Sequence, residues 1–274
     1  PHEVIVCTSG DSGQLLFPEV QTMTSWGGHG VDHFLVRVDQ EKEQEQGQGQ
    51  GQEQEQERVD WMDVLVIPSY YGCERGDSGS ACSATHIYYN WDPISLKFVD
   101  TLSVVSSGPS QSDHFTTASN VTYLLLAENF ASQLSVYRLS TSTFSSSSSI
   151  SPFRAQRPLL HAEKIQSIPV PGIAACATTV IDSIIHIIAA SYHDSGWQTH
   201  SPVYLWNETL LSFSLLQTLP TIGAHDAETI EFQVNHFLVF SEDRNKDTVH
   251  ISSNVSSLFI FICRLLFHQL QDVY

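Results

Sequence analysis

A glycine spacing that recurs four times along the chain restricts its fold more than any other feature. In each case the glycine is followed seven residues later by the side chain that we expect to open a strand. The pairs are Gly27 and Phe34, Gly108 and Phe115, Gly172 and Thr179, and Gly223 and Ile230. A segment that repeats in this way predicts a tandem array of similar structural units.

Each glycine segment runs into apolar stretches that have the composition of β-strands. Aromatic residues such as Tyr204 and Trp206 alternate with residues that we expect to face outward, which is typical of half-buried strands. With three inserts set aside, each unit is about fifty residues long, the size of one propeller blade. The sequence therefore predicts an all-β protein, a β-propeller of four-stranded blades that must pack on one another because one blade cannot bury both of its faces.

The repeat also predicts the domain boundaries. We expect the end of a preceding blade at 1–26, blades at 27–107, 108–171 and 172–222, and a degenerate or truncated blade at 223–274. The inserts are a Gln/Glu/Gly tract at 40–57, a loop at 73–82 and a serine-rich run in the second full blade. The chain is thus expected to hold about four to five blades of a larger propeller.

Composition excludes two classes of protein. Hydrophobic residues make up 41% of the 274 residues, which is enough for a core and excludes a disordered chain. The formal net charge of −18, with only 12 Lys and Arg, argues against nucleic acid as a partner, because phosphate contacts need clustered basic residues. No membrane insertion is expected, since the apolar segment 258–267 is too short to span a bilayer and contains Arg264.

Glycosylation acceptors predict an extracellular or lumenal location. Asn120, Asn207 and Asn254 each begin an Asn-x-Thr or Asn-x-Ser triplet without proline. In an oxidising compartment, Cys73 and Cys82 are placed to form a disulfide across the loop that they bracket. The first residues lack the pattern of a signal peptide, so we expect the secretion signal to lie elsewhere in a longer protein.

Three further sequence elements carry a family resemblance. The elements are Val203–Trp206, Phe213–Thr221 and Gly223–Glu228, with partial matches at Tyr89–Asp92 and Leu126–Asn129. Together they resemble the EAR repeat, also called the epitempin repeat. The resemblance implies a seven-bladed β-propeller, of which this chain is a part, in secreted proteins or in the ectodomains of membrane proteins. It also implies a non-catalytic module that binds extracellular or cell-surface proteins.

The loop between Cys73 and Cys82 contains the most specific candidate for partner binding. Arg75, Gly76 and Asp77 form the triplet that integrins recognise, and a disulfide would limit the entropy lost on docking. The Gly-Asp-Ser-Gly sequence in the same loop does not predict a protease, because the rest of the chain predicts blades and supplies no pair of barrels to place a histidine and an aspartate. We expect this loop and the segment 192–201 to form the binding surface.

Acidic residues near the repeat starts leave two functions open. Asp32, Asp113, Asp226 and Glu228 fall near the strand that should line a central channel. There they could hold Ca²⁺ or bind backbone amides, and we favour the structural role, with no cofactor or other metal, because the histidines lack metal-ligand spacing. The alternatives to recognition are a glycosidase or lyase that uses such carboxylates, and a structural spacer in a large receptor.

Aromatic and glycine positions of the repeat are assigned to the scaffold. Tyr89, Trp91, Tyr204 and Trp206 are expected in the blade core, not in a ligand cage. Cys176 lies in an apolar run and is expected to be a buried small hydrophobe.

Overall fold

The chain is an all-β protein, as its sequence predicts. The computed structural model describes residues 2–7, 19–25, 30–38, 60–70, 84–142, 158–193, 198–232, 235–242, 251–253 and 258–261. These residues form strands β1 to β18 and the turns between them. Within the same ranges, no helix is long and apolar enough to cross a membrane.

The strands follow one another in chain order and fall into five groups. A short opening pair consists of β1 (His2–Cys7) and β2 (Glu19–Ser25). Sheet 1 contains β3 (Asp32–Val38), β4 (Asp60–Ser69), β5 (Ala84–Asp92) and β6 (Lys97–Val105). Sheet 2 contains β7 (Pro109–Thr116), β8 (Thr122–Glu128), β9 (Gln133–Ser142) and β10 (Leu159–Pro169). Sheet 3 contains β11 (Ile173–Ile181), β12 (Ile184–Ser191), β13 (Gln198–Asn207) and β14 (Ser212–Ile222). Sheet 4 contains β15 (Ala224–Phe232), β16 (Asn235–Glu242), β17 (Ile251–Ser253) and β18 (Leu258–Phe261).

Sheets 1, 2 and 3 are meanders in which each strand pairs with the next one in antiparallel orientation. Sheet 4 begins in the same way with β15 and β16. It then departs from the pattern, because β16 pairs in parallel with β18 and the order becomes β15-β16-β18-β17. The first strand of each four-stranded sheet lies at one edge of that sheet. We call these strands, β3, β7, β11 and β15, the inner strands.

The repeated glycine ends the link between two sheets. Gly108, Gly172 and Gly223 have φ angles of 59°, 62° and 61°, a left-handed conformation that side chains disfavour. In each case the inner strand begins at the next residue and carries a β-bulge two residues after the glycine. The expectation that the residue seven positions later opens a strand is therefore wrong. Phe115, for example, lies near the end of β7.

The sheets stack face to face, and a separate apolar cluster fills each junction. Met23 of β2 packs on sheet 1. The next three clusters join sheets 1 and 2, sheets 2 and 3, and sheets 3 and 4. Because sheet 2 is covered on both faces, every residue of β8 is buried. This central strand is one of the apolar stretches identified in the sequence, and it has no outward face.

The inner strands also follow one another in space. β7 contacts β3 on one side and β11 on the other, and β11 contacts β15. Side chains six residues after the repeated glycine link them: Thr178 Oγ1 donates to the carbonyl of His114 at 3.0 Å, and Thr229 Oγ1 donates to that of Thr178 at 3.1 Å. This serial packing is consistent with a propeller-like fold, and the described residues show no closed ring.

The third strands carry a tyrosine at one equivalent place, and it is not the expected one in sheet 1. Through the strand pairing, Tyr88, Tyr137 and Tyr204 occupy the same position. Tyr88 and Trp91 pack on the cluster that contains Met23, whereas Tyr89 faces the next sheet. Asn90, between Tyr89 and Trp91, has a positive φ of 58°. At this residue the regular alternation of side chains between the two faces of the sheet is interrupted.

Candidate functional site

A polar cleft of about 700 Å³ lies where the inner strands begin and the second strands end. Tyr70, Asn129 and Tyr192, each the first residue after the second strand of its sheet, contribute side chains from three successive sheets. Its lining consists of Tyr70, Ser110, Gln111, Asn129, Ser132, Gly172, Ala174, Ala175, Tyr192, His193, His225 and Asp226. We call this site the inner-strand cleft.

Backbone hydrogen bonds fix the rim of the cleft in the same way in two sheets. The amide of Asn129 donates to the carbonyl of Gly108 at 3.0 Å, and that of Tyr192 donates to Gly172 at 2.8 Å. A Cβ atom on Gly172 would collide with the backbone of His193. Glycine is thus needed there both for its positive φ and for the close approach of the rim.

Asn129 ties the cleft wall to two neighbouring sheets. Its Nδ2 donates to the carbonyl of Ile173 in sheet 3 at 2.6 Å, and its Oδ1 accepts a hydrogen bond from the Tyr70 hydroxyl of sheet 1 at 3.1 Å. The ring of Tyr70 also packs on Phe130, with the ring centroids 4.7 Å apart. This wall is therefore held by side chains of sheets 1 and 2 and a backbone carbonyl of sheet 3, and it is pre-formed.

Gln111 of β7 and Asp226 of β15 form the floor of the cleft. Gln111 Oε1 accepts from the amide of Cys176 at 3.0 Å, and its Nε2 donates to Asp226 Oδ1 at 3.4 Å. The amide of Ala227 donates to the same oxygen of Asp226 at 2.9 Å. Both contacts end on Oδ1, so Oδ2 has no hydrogen-bond donor among the described residues.

A histidine and two carboxylates meet deeper along the inner strands. His114 Nδ1 lies 2.9 Å from Asp32 Oδ2 and 3.8 Å from Asp113 Oδ1. Burial alone would lower the pKa of His114, but the hydrogen bond to Asp32 and the two negative charges outweigh it and raise the pKa above 6.5. Burial and the charge of Asp32 together raise the pKa of Asp113.

The negative field of this region extends to sheets 3 and 4. Burial, followed by the charges of Asp226 and Asp113, raises the pKa of Glu228. Cys176 is buried, and desolvation together with Asp113, Asp32 and Asp226 raises the pKa of its thiol well above 9.0. Cys176 is therefore a neutral, inert core residue.

The side chains of the described residues do not form a suitable site for the Ca²⁺ ion that the acidic residues of the sequence could hold. Asp32, Asp113 and His114 offer ligand atoms within 4.8 Å of one another. Calcium takes six to eight oxygen ligands, whereas this group has two carboxylates and an imidazole that already pairs with one of them. The other two acids of the sequence analysis, Asp226 and Glu228, are not part of the group.

Two of the glycosylation acceptors lie side by side at the other end of the strands. Asn120 is exposed in the turn between β7 and β8, and Asn207 is exposed at the end of β13. Ser119 Oγ donates to Glu208 Oε1 at 2.8 Å, which joins the two acceptor segments. In a meander these turns are opposite the end that holds the cleft, so the two acceptors lie away from the cleft.

The remaining candidate residues are either in the core or outside the described residues. Tyr204 and Trp206 are buried in the cluster between sheets 2 and 3. The expected binding loop and two other positions lie outside the described residues. They are Cys73, Arg75, Gly76, Asp77 and Cys82 in the loop, and Gly27 and Asn254 elsewhere. Sequence reasoning missed Gln111, Asn129 and Tyr70. The only available signal was that Tyr70, Asn129 and Tyr192 each directly follow the second apolar stretch of a repeat.

In comparisons with known proteins, no family model and no curated protein matches this chain.

Proposed function

We propose that the chain is part of an extracellular protein–protein recognition module, a non-catalytic EAR-type β-propeller that acts in adhesion or receptor–ligand assembly. One observation carries the proposal. Tyr70 and Tyr192 line the same cleft, and each is the residue from which the connection between the second and third strands of its sheet departs. Tyr70, which precedes the expected binding segment 73–82, and Tyr192, which begins the segment 192–201, therefore lie on one cleft.

Recognition proteins often place their binding residues on loops that a rigid scaffold supports. The rim is held by the amide bonds to Gly108 and Gly172 and by the Asn129 contacts to sheets 1 and 3. A binding surface on such a scaffold loses little conformational entropy when a partner docks. In this proposal an integrin is one candidate partner, through Arg75, Gly76 and Asp77.

The glycan acceptors support both the extracellular location and the choice of binding end. Asn120 and Asn207 are exposed and adjacent, on the end of the strands away from the cleft. Glycans there would leave the cleft end open to a partner. In the same proposal, a disulfide between Cys73 and Cys82 restrains one of the two binding connections.

Binding of the secreted chain to living cells tests the proposal. A tagged chain would be applied to a panel of human cell lines and measured by flow cytometry, before and after protease treatment of the cell surface. Saturable, protease-sensitive binding supports recognition. Replacement of Arg75 by Ala tests the integrin route, with Arg138→Ala on β9 as the matched control. No saturable binding on any line would contradict recognition and favour a structural spacer.

One observation favours an enzyme as the second candidate. Burial, together with neighbouring negative charge, raises the pKa values of Asp113 and Glu228. A raised pKa keeps a carboxylic acid protonated, as the general acid of a glycosidase requires. Turnover of a glycan substrate that Glu228→Gln abolishes without loss of folding would support this function. Unchanged glycans after incubation with the wild-type chain would remove it.

A further inference from the structure

We infer that the inner-strand cleft binds an arginine side chain of a partner protein, with the guanidinium on Asp226. This inference rests on the proposed function, since it names the chemistry that the recognised partner presents. It starts from the unequal use of the two carboxylate oxygens. Asp226 Oδ1 accepts hydrogen bonds from Ala227 N and Gln111 Nε2, while Oδ2 has no donor among the described residues.

The orientation of Asp226 is fixed before any ligand arrives. Gln111 is itself held by the amide of Cys176 at 3.0 Å, so the Gln111–Asp226 contact links sheets 2, 3 and 4. A carboxylate held at one oxygen presents the other to the cleft without loss of rotamer entropy. The open Oδ2 can accept a charge-assisted hydrogen bond from an N–H group of a guanidinium.

The field in the cleft has the sign that a cation needs. Among the described lining residues Asp226 is the only acid, and Lys and Arg are absent. Burial, followed by the charges of Asp226 and Asp113, raises the pKa of Glu228, which places these carboxylates in one negative region. A cation in the cleft would thus meet one carboxylate directly and further negative charge behind it, with no local positive charge to oppose it.

The walls of the cleft suit a flat, delocalised cation better than a compact one. Tyr70 and Tyr192 bring aromatic rings from sheets 1 and 3, and the ring of Tyr192 packs on that of His225 at 3.9 Å. Aromatic faces attract guanidinium groups by cation–π contact and stacking. The volume of about 700 Å³ exceeds a single side chain, so the occupant is an arginine within a partner loop.

A short peptide pair tests this inference on the full chain. The probe is acetyl-Gly-Arg-Gly-Gly-amide, and its control replaces arginine by citrulline, which has the same shape and no charge. Binding is followed by NMR titration of the labelled peptide. We expect the arginine peptide to bind at least about tenfold more tightly than the citrulline peptide, and also more tightly than a lysine version.

Three variants separate the cleft from general acidity. Asp226→Asn keeps the shape of the side chain and should lower the affinity about tenfold. Asp182→Asn, which removes the same charge from an exposed turn at the other end of β11, should leave it unchanged. Ser132→Lys adds a cation to the exposed rim and should weaken binding without removing a side-chain contact of Asp226.

The outcomes distinguish this inference from the proposed function. Equal affinity for the arginine and citrulline peptides, or equal loss in Asp226→Asn and Asp182→Asn, would overturn the cleft assignment even if the chain binds cells. Arginine binding that depends on Asp226 in a chain that is neither secreted nor bound by cells would keep the cleft assignment and remove the extracellular function.

Discussion

His114 hydrogen-bonds to Asp32 at 2.9 Å across the junction between sheets 1 and 2. The imidazole also stacks on Phe34 of the same neighbouring strand, with the ring centroids 4.2 Å apart. One side chain thus joins two inner strands by both charge and packing. Such contacts are made between repeats and not within one repeat. They therefore contribute to the free energy of unfolding through the interface between neighbouring sheets.

The stability of this junction should depend on pH. The pKa of His114 is raised in the folded chain, so its protonated form stabilises the fold below about pH 6.5, and this contribution is lost as the pH rises through the folded-state value. The difference in unfolding free energy between wild type and His114→Gln should be greatest near pH 5.5 and clearly smaller near pH 8.5.

Urea unfolding across this pH range provides the measurement. His33→Gln is the matched control, because His33 pairs with Asp63 at 3.1 Å on an exposed surface where an ion pair contributes little. A pH-independent difference for His114→Gln would show that Asp32 and His114 do not interact as described. Asp113 and Glu228 act in the same sense as His114, since raised carboxylate pKa values also favour the fold at lower pH.

Gly172→Ala should destabilise the chain by about 2 kcal/mol or more. The substitution forces alanine into a φ of 62° and pushes Cβ into the backbone of His193. Gly30→Ala is the control, because the nearest atom that a Cβ would meet there is Gln111 Cγ at 3.5 Å, an ordinary contact. Thermal unfolding followed by circular dichroism measures both. Similar melting temperatures for the two variants would contradict the description of the cleft rim.

Glu128→Ala should cost roughly 3 kcal/mol of stability. Glu128 is buried, and it accepts hydrogen bonds from Ser107 N at 3.0 Å and from Lys164 Nζ at 3.3 Å. Removal of the carboxylate leaves an amide and an ammonium group without their partner. Chemical denaturation should show no comparable loss for Glu163→Ala, the exposed neighbour of Lys164 on β10. Equal midpoints would mean that Glu128 is dispensable.

Phe115→Ala should uncouple sheets 2 and 3. Phe115 stacks on Tyr123 with the ring centroids 4.9 Å apart, and it meets Trp206 of the next sheet edge-on at 5.2 Å. A large core aromatic costs about 3–5 kcal/mol when truncated. Hydrogen exchange should therefore show loss of protection on both sides of this junction, whereas Leu210→Ala, which is highly exposed, should change neither. Loss confined to sheet 2 would contradict the coupling.

The glycine repeat made the all-β class and the four-stranded sheets predictable. Glycine at the turn into an inner strand is a local requirement, so its spacing is visible in the sequence. The bulge after each glycine and the positive φ of 58° at Asn90 arise in the folded sheets, which a single sequence does not display. For that reason the expected strand start at Phe115 was wrong. Tyr89 is buried in the core as expected, but the equivalent of Tyr204 in sheet 1 is Tyr88.

The cleft was less predictable than the fold. The acids at 226 and 228 stood out in the sequence because they recur, but no sequence pattern indicated that Gln111 would hold one of them. Asn129 and Tyr70 are ordinary residues after apolar stretches, and their roles arise only when three sheets stack. The burial of both faces of β8 has the same origin, because a neighbouring sheet covers what a lone sheet would expose.

The most direct test of the extracellular recognition module is mass spectrometry of the chain expressed through a mammalian secretory pathway, with an added signal peptide, under non-reducing conditions. Peptides would be compared with and without a glycosidase. The account predicts secreted protein with glycans on Asn120 and Asn207 and a bridge between Cys73 and Cys82. Secreted, folded protein in which both asparagines are bare and both cysteines are reduced would contradict it.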